Sequence, residues 1–205
     1  MKISDYINST RSKSIGFTWR EFSEQQVRAT WSMIAKQTVK HYEDINPKLT
    51  SQLIYYVMRS DKFNGNLNKG ILLVGQTGTG KTIYLKILSL TIGWLHKFRF
   101  LIHSMRDIET MYGRQEEVPG IKQVMFGMDD IGEEHDRVKV YGSDINVGIE
   151  VLSQRHSHMI TDDSFTFGTS NLNRKMLMDK YGARIDSRIS EMFNVIPVTG
   201  KDLRK

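Results

Sequence analysis

The chain has 205 residues, a formal net charge of +6 and no cysteine, so it can form one cored domain with a short appendage and has no disulfide framework or thiolate site. It has no run of 18 apolar residues, and residues 1–5 do not open a signal peptide, so we expect a cytoplasmic protein without membrane contact. The positive charge suits a polyanionic partner, but proteins that bind no nucleic acid often carry a similar surplus.

The first part of the chain predicts a polar arm followed by a helix. Residues 1–16 are polar and rich in serine, which is typical of a loosely held terminus. Thr18–Glu21 fits a capping box, with Phe17 and Phe22 at the positions of a hydrophobic staple. These signals predict a helix from about Thr18 to Asp44.

A second helix is predicted from about Pro47 to Arg59, because Asn46-Pro47 breaks the first. Both helices carry an apolar stripe, formed by Val27, Trp31 and Ile34 in the first and by Leu49, Leu53, Tyr56 and Val57 in the second. The stripes could dock a partner or pack on the protein's own core, and the burial preference of Trp and Tyr favours packing. We therefore divide the chain into an N-terminal arm with a helical segment, residues 1–62, and a core, residues 63–205.

A phosphate-binding loop is predicted directly after the apolar run Ile71–Val74. The segment Gly75–Thr82 fits G-x-x-x-x-G-K-[ST] at every specified position. Glycines allow backbone N–H groups to point at phosphates, and the following helix adds its positive end. A glycine-rich turn without a ligand is the alternative. The expected nucleotide contacts are Gly75, Gln76, Thr77, Gly78, Thr79, Gly80, Lys81, Thr82 and Ile83, with Lys81 reaching the β- and γ-phosphates and the Thr82 hydroxyl on Mg²⁺.

The rest of the chain alternates between strand and helix patterns. The predicted strands are Phe98–Ile102, Gln123–Met128, Ser164–Asn171 and Phe193–Val198, and the predicted helices are about Lys81–Trp94, Met105–Gln115, Ser143–His156, Arg174–Tyr181 and Ala183–Met192. Strands that alternate with helices of this length indicate an α/β fold with a parallel sheet flanked by helices.

Two carboxylates follow the second of these strands. In a parallel sheet, ligands lie outside the carboxyl ends of the strands, so Asp129 and Asp130 should face the phosphate site. Asp129 would hold Mg²⁺, and Asp130 would orient or deprotonate the attacking water. A strand-terminal acid pair can also be a simple turn, but its place about 50 residues after a phosphate loop favours the site.

Further polar groups are expected near the same edge. Asn171 ends the next strand, where its amide could hydrogen-bond both the γ-phosphate and the attacking water, although Asn is also common in turns. Arg184 and Arg188 are four residues apart on one helix face, which could equally be a solvated basic face.

Together these motifs resemble the AAA+ ATPases of the DnaC/IstB type, which are bacterial and phage helicase loaders and transposition helpers. The resemblance extends from about Asn68 to the C-terminus. The matching segments are Lys69–Val74 with its loop, Asp129–Gly132, Tyr141–Asn146, Thr169–Leu172, Tyr181–Ile189, Glu191–Ile196 and Gly200–Arg204.

The resemblance implies a P-loop NTPase core without a separate C-terminal helical lid, and ATP and Mg²⁺ as cofactors. It makes Asn171 the sensor 1 residue, Arg188 the arginine finger that reaches a neighbouring subunit's nucleotide, and Arg204 the sensor 2 arginine. An ATPase of this kind hydrolyses ATP only when its subunits assemble, as a ring or helical filament, because the finger is supplied in trans. The implied partners are single-stranded DNA and a replicative helicase.

The chain also departs from this family. Only about 60 residues precede its core, whereas the helicase loaders of the family carry a sizeable N-terminal module. Arg137, Lys139 and Arg155 are candidates for contacting DNA. Two alternatives remain at this stage: a transposition helper of the IstB type and a nucleotide-gated adaptor that does not hydrolyse ATP.

Overall fold

The computed structural model describes residues 17–140 and 143–200. Its helices are α1 (Glu24–Thr38), α2 (Pro47–Val57), α3 (Lys81–His96), α4 (Met105–Gly113), α5 (Val147–Asp162), α6 (Arg174–Tyr181) and α7 (Ala183–Met192). Its strands are β1 (Gly70–Val74), β2 (Ile102–Ser104), β3 (Met125–Asp129), β4 (Val138–Val140), β5 (Ser143–Ile145), β6 (Phe165–Ser170) and β7 (Phe193–Pro197). In the described ranges, no helix is both long and apolar enough to cross a membrane.

The core is a five-stranded sheet in the order β2-β3-β6-β1-β7, and every pairing in it is parallel. This confirms the predicted α/β class. The order places β6 between β1 and β3, although it follows both in the chain. The residues that follow β6 therefore lie between the loop after β1 and the acid pair after β3.

Helices cover both faces of the sheet, because successive side chains of a strand point to opposite sides. In β1, Ile71 and Leu73 join a cluster with α1, α2 and α3, while Leu72 joins a second cluster with α4, α5, α6 and α7. All three side chains are at most 1% exposed. The continuous apolar run before the loop is thus a strand buried on both faces.

The predicted N-terminal helix is wrong at both ends. The helix α1 begins at Glu24, after the N-cap Ser23, and the capping box is formed by Ser23 and Gln26 rather than by residues 18–21. Residues 17–22 instead cover α3 with their aromatic side chains: Trp19 and Phe22 both contact the ring of His96 edge-on. Tertiary packing therefore decides between two local capping signals.

The strand predicted at residues 98–102 is displaced to Ile102–Ser104. The apolar residues before it serve packing instead, since Phe100 is buried and stacks on Phe167 with ring centroids 4.4 Å apart. Likewise, the segment predicted as one helix from residue 143 holds strand β5, which pairs antiparallel with β4, and α5 begins only after its N-cap Asn146.

The two N-terminal helices pack on the core. Val27, Trp31, Leu53 and Tyr56 are at most 2% exposed and belong to the same cluster as the buried residues of β1. The apolar stripes of both helices are therefore buried in the core, and these residues have no exposed face for a partner.

We expect Trp31→Ala to destabilise the whole core by about 3–5 kcal/mol, because it removes a buried ring from the shared cluster. Trp94→Ala is the matched control: Trp94 is 59% exposed, so its loss should change stability by less than about 0.5 kcal/mol. Urea unfolding measures both values. Equal unfolding midpoints for the two variants would show that the N-terminal helices contribute nothing to the core.

Candidate nucleotide-binding site

The loop Gly75–Thr82 links the end of β1 to the start of α3, as the sequence predicts. Gly78 and Gly80 have φ values of 86° and 85°, in the left-handed region that favours glycine. A Cβ on Gly75 would lie 2.2 Å from the carbonyl oxygen of Val198, so no larger residue fits there. The buried Thr79 closes the turn by donating its hydroxyl to the Gln76 carbonyl at 2.9 Å. The loop is thus built to bring its backbone close to a ligand at a helix N-terminus.

The side chain of Lys81 ties the loop to the end of β6. Its ammonium donates to the carbonyl oxygens of Gly75 and Gln76 and to Oδ1 of Asn171, each at 2.8 Å. Lys81 is 5% exposed. The positive charge is therefore held inside the site by three oxygen atoms, one of which belongs to the predicted sensor residue.

Asp129 lies against Thr82. The Thr82 hydroxyl donates to Oδ1 of Asp129 at 3.0 Å, and the Thr169 hydroxyl donates to the same oxygen at 2.6 Å. A hydroxyl beside a carboxylate fits Mg²⁺, which prefers oxygen ligands and usually takes one or two side chains together with phosphates and water. Among the described residues, no group of three or more His, Asp or Glu side chains could hold a metal ion by itself.

A cleft of about 410 Å³ opens beside the loop. Of the predicted residues, its lining contains Thr77, Gly78, Gly80, Lys81, Thr82, Ile83, Asp130 and Asn171. A second cavity of about 560 Å³ adjoins Gly75, Gln76, Thr79 and Asn171 and reaches the chain after β7. The loop and Asn171 border both spaces, whereas Asp129 lines neither and stands behind Thr82.

Two charged residues in this cleft are absent from the predicted site. Arg106, in the first turn of α4, and Glu133, after the acid pair, both line it. The position of Arg106 follows from β2 lying beside β3 in the sheet, an adjacency that chain order does not reveal. Glu133 has a sequence signal, since it follows Asp129 by only four residues.

The predicted arginines lie elsewhere. Arg188 is on α7 and donates to the hydroxyl of Ser153 on α5, and it does not line the cleft of its own subunit. Arg184 is exposed, one turn earlier on the same helix. Arg204 and residues 141–142 lie outside the described residues.

The suggestion that Arg155 contacts DNA is wrong. Its side chain is fully buried and donates to three carbonyl oxygens and two hydroxyls, those of Ile121, Gln123, Phe165, Ser164 and Thr166. Burial lowers the pKa of Arg155 to about 10, so it stays charged at neutral pH. Arg137 and Lys139 are exposed.

These features define a P-loop nucleotide-binding fold, and the comparisons with known proteins agree. The chain matches no protein-family profile and no curated protein sequence. Its structure is similar to that of the DnaC helicase loader, with a TM-score of 0.58 and 18% identity over 84% of this chain and 99% of that chain.

Two other structures with the same core are DnaI and DnaA. DnaI gives a TM-score of 0.59 and 20% identity over 89% of this chain and 94% of its own. The replication initiator DnaA bound to AMPPCP and single-stranded DNA gives a TM-score of 0.53 and 15% identity. The match covers 78% of this chain and 48% of DnaA, so this chain spans about half of DnaA. At these levels of identity the likeness is one of fold: a parallel sheet with flanking helices and a phosphate-loop topology.

We expect Arg155→Ala to lower the free energy of unfolding by at least about 3 kcal/mol, because the loss of the guanidinium leaves buried carbonyl groups without donors. Arg137→Ala, at an exposed position, should change it by less than about 0.5 kcal/mol. Urea denaturation followed by circular dichroism separates the two. An Arg155→Ala protein of normal stability that had lost DNA binding would contradict this structural role.

Proposed function

We propose that the protein is a Mg²⁺-dependent ATPase that acts in DNA replication as a helicase loader. The observation that carries the ATPase part is the convergence of three parts of the chain at one edge of the sheet. Lys81 contacts Asn171, and Thr82 contacts Asp129, at 2.8 and 3.0 Å. These are the groups that a triphosphate and its metal ion require.

In this proposal the chain's own groups bind and orient the nucleotide. The loop backbone and the N-terminus of α3 receive the phosphates, and Lys81 reaches the β- and γ-phosphates. Thr82 and Asp129 would hold Mg²⁺, which supplies positive charge against the phosphate oxygens. Asp130 orients or deprotonates the attacking water, and the Asn171 amide senses the γ-phosphate.

Hydrolysis in this proposal needs a second subunit. Arg188 does not line the cleft of its own subunit, which suits a guanidinium that serves a neighbour's site. An arginine supplied in this way stabilises the charge of the transition state and is worth about 10³–10⁵-fold in related NTPases. Isolated monomers should bind ATP and hydrolyse it very slowly. Arg204 stays a prediction for the phosphates of its own subunit.

The likeness in fold to the DnaC helicase loader and DnaI supports a role beside a replicative helicase. The likeness to DnaA bound to single-stranded DNA, together with the net charge of +6, supports assembly on single-stranded DNA as a ring or filament. The exposed Arg137 and Lys139 remain candidates for contacting its phosphates.

A mixed-subunit experiment tests hydrolysis between subunits. Arg188→Ala and Asp130→Ala should each bind ATP but lose at least about 10²-fold of the DNA-stimulated ATPase. Mixing them should restore part of it, because some interfaces then combine an intact Asp130 with an intact Arg188.

Arg184→Ala is the control, since it removes the same charge one turn away and should keep wild-type turnover. If Lys81→Ala bound ATP normally, the site itself would be misassigned. If the wild type hydrolysed no ATP with any DNA or partner, the chain would be a nucleotide-gated adaptor.

A pull-down from the host, in ATP and in a slowly hydrolysed analogue, tests the replication role. We expect a replicative helicase to be retained in the analogue and released in ATP, because ATP binding sets the assembled state. The Lys81→Ala protein is the control and should retain nothing in either nucleotide. Capture of a transposase instead would identify a transposition helper.

A further inference from the structure

The carboxylate of Glu133 contacts two of the N–H donors that line the cleft. Nδ2 of Asn171 donates to Oε1 of Glu133 at 3.3 Å, and the Arg106 guanidinium lies 3.9 Å from the other carboxylate oxygen. All three residues line the same cleft as Lys81. The Glu133 carboxylate therefore lies beside a group of hydrogen-bond donors, in a place where a bound anion would also find them.

The orientation of the Asn171 amide is set by two opposite charges. Its Oδ1 accepts from the Lys81 ammonium at 2.8 Å, so its Nδ2 faces Glu133. An amide has a donor end and an acceptor end, and here each end contacts the charge that it suits. Glu133 thus acts on the sensor residue directly.

A terminal phosphate needs the same donors that Glu133 contacts. Phosphate oxygens accept hydrogen bonds from ammonium, amide and guanidinium groups, and charge-assisted bonds of this kind are the strong ones. The γ-phosphate and the Glu133 carboxylate are both anions, so they compete for Asn171 and Arg106 and repel each other inside the cleft. A nucleoside diphosphate has no γ-phosphate, so it does not compete with Glu133 for these donors.

Arg106 can exchange partners at little cost. The Arg106 and Glu133 side chains are 67% and 40% exposed, and ion pairs this open to solvent contribute little to stability. The guanidinium can therefore leave the carboxylate for a phosphate without disturbing the fold.

The neighbouring Glu134 keeps any displacement of Glu133 local. Glu134 is 3% exposed and accepts hydrogen bonds from the backbone N–H of Gly132, at 3.0 Å, and from the Tyr181 hydroxyl. This buried side chain anchors the backbone beside Glu133. A change at Glu133 therefore affects the cleft and leaves the segment in place.

We propose that Glu133 is a specificity-determining residue that weakens binding of the nucleoside triphosphate relative to the diphosphate. It competes with the γ-phosphate for the donors of Asn171 and Arg106. This inference rests on the proposed function, because it takes the cleft to be the ATP site. As a consequence, the protein holds ATP less tightly and leaves its ATP-bound state readily. This suits a cycle of assembly and release.

Binding measurements on the full chain test this role. Displacement of a fluorescent nucleotide gives the Kd of AMPPCP and of ADP for the wild type and for Glu133→Gln. We expect AMPPCP to bind about 3- to 10-fold more tightly to the variant and ADP to change by less than about 2-fold, because only the γ-phosphate meets the lost charge. Glu133→Asp keeps the charge and should retain a ratio close to that of the wild type.

Two controls separate this effect from a structural one. Glu116→Gln makes the same chemical change at an exposed position outside the cleft and should leave both Kd values unchanged. In an Asn171→Ala background the effect of Glu133→Gln should shrink, since residues that act through one another are not additive.

The outcomes distinguish the two proposals. If the wild type binds AMPPCP through Lys81 but Glu133→Gln shifts both nucleotides equally, or neither, the role of Glu133 is wrong and the ATP site stands. If Lys81→Ala leaves AMPPCP binding unchanged, the proposed function itself fails. An effect of full size in the Asn171→Ala background would show that Glu133 does not act through Asn171 and would overturn that part of its role.

Discussion

The hydroxyl of Thr169 joins the ends of two neighbouring strands, and the geometry of the site depends on it. It donates to Oδ1 of Asp129 at 2.6 Å and accepts from the backbone N–H of Asp130 at 2.9 Å. The Thr169 carbonyl also accepts from the N–H of Ile131 at 2.8 Å. With β3 held against β6 in this way, Asp129 faces Thr82 while Asp130, at φ 58°, faces the cleft. The two neighbouring carboxylates therefore face different groups, one the Thr82 hydroxyl and the other the cleft.

Local sequence signals predicted the parts of the fold whose geometry is local. The helices Arg174–Tyr181 and Ala183–Met192 have the predicted bounds, because Asn173 caps the first and Gly182, at φ 82°, separates them. The phosphate loop is also local, since its glycines and its helix start lie within eight residues. The start of α1 was mispredicted because two capping boxes compete there, and only the packing of residues 17–22 on α3 decides between them.

The residues that the sequence could not place depend on the strand order. Nothing in the chain shows that β6 enters between β1 and β3, or that β2 lies beside β3. Arg106 therefore lines the cleft although no sequence signal predicts it there. Arg155 shows the opposite error, because a basic residue in a helix is usually solvated, whereas this one links α5 to the loop before β3 and to the start of β6. Charge alone does not distinguish a binding residue from a buried structural one.

The charge balance of the cleft is consistent with the second subunit that the proposed function requires. Among the described residues that line it, the cations are Lys81 and Arg106 and the anions are Asp130 and Glu133, so the lining is neutral overall. A nucleoside triphosphate brings up to four negative charges. The loop's backbone dipoles meet part of this demand, and Mg²⁺ on Thr82 and Asp129 would meet more. The remainder suits a guanidinium from outside, such as the neighbour's Arg188 of the proposed function.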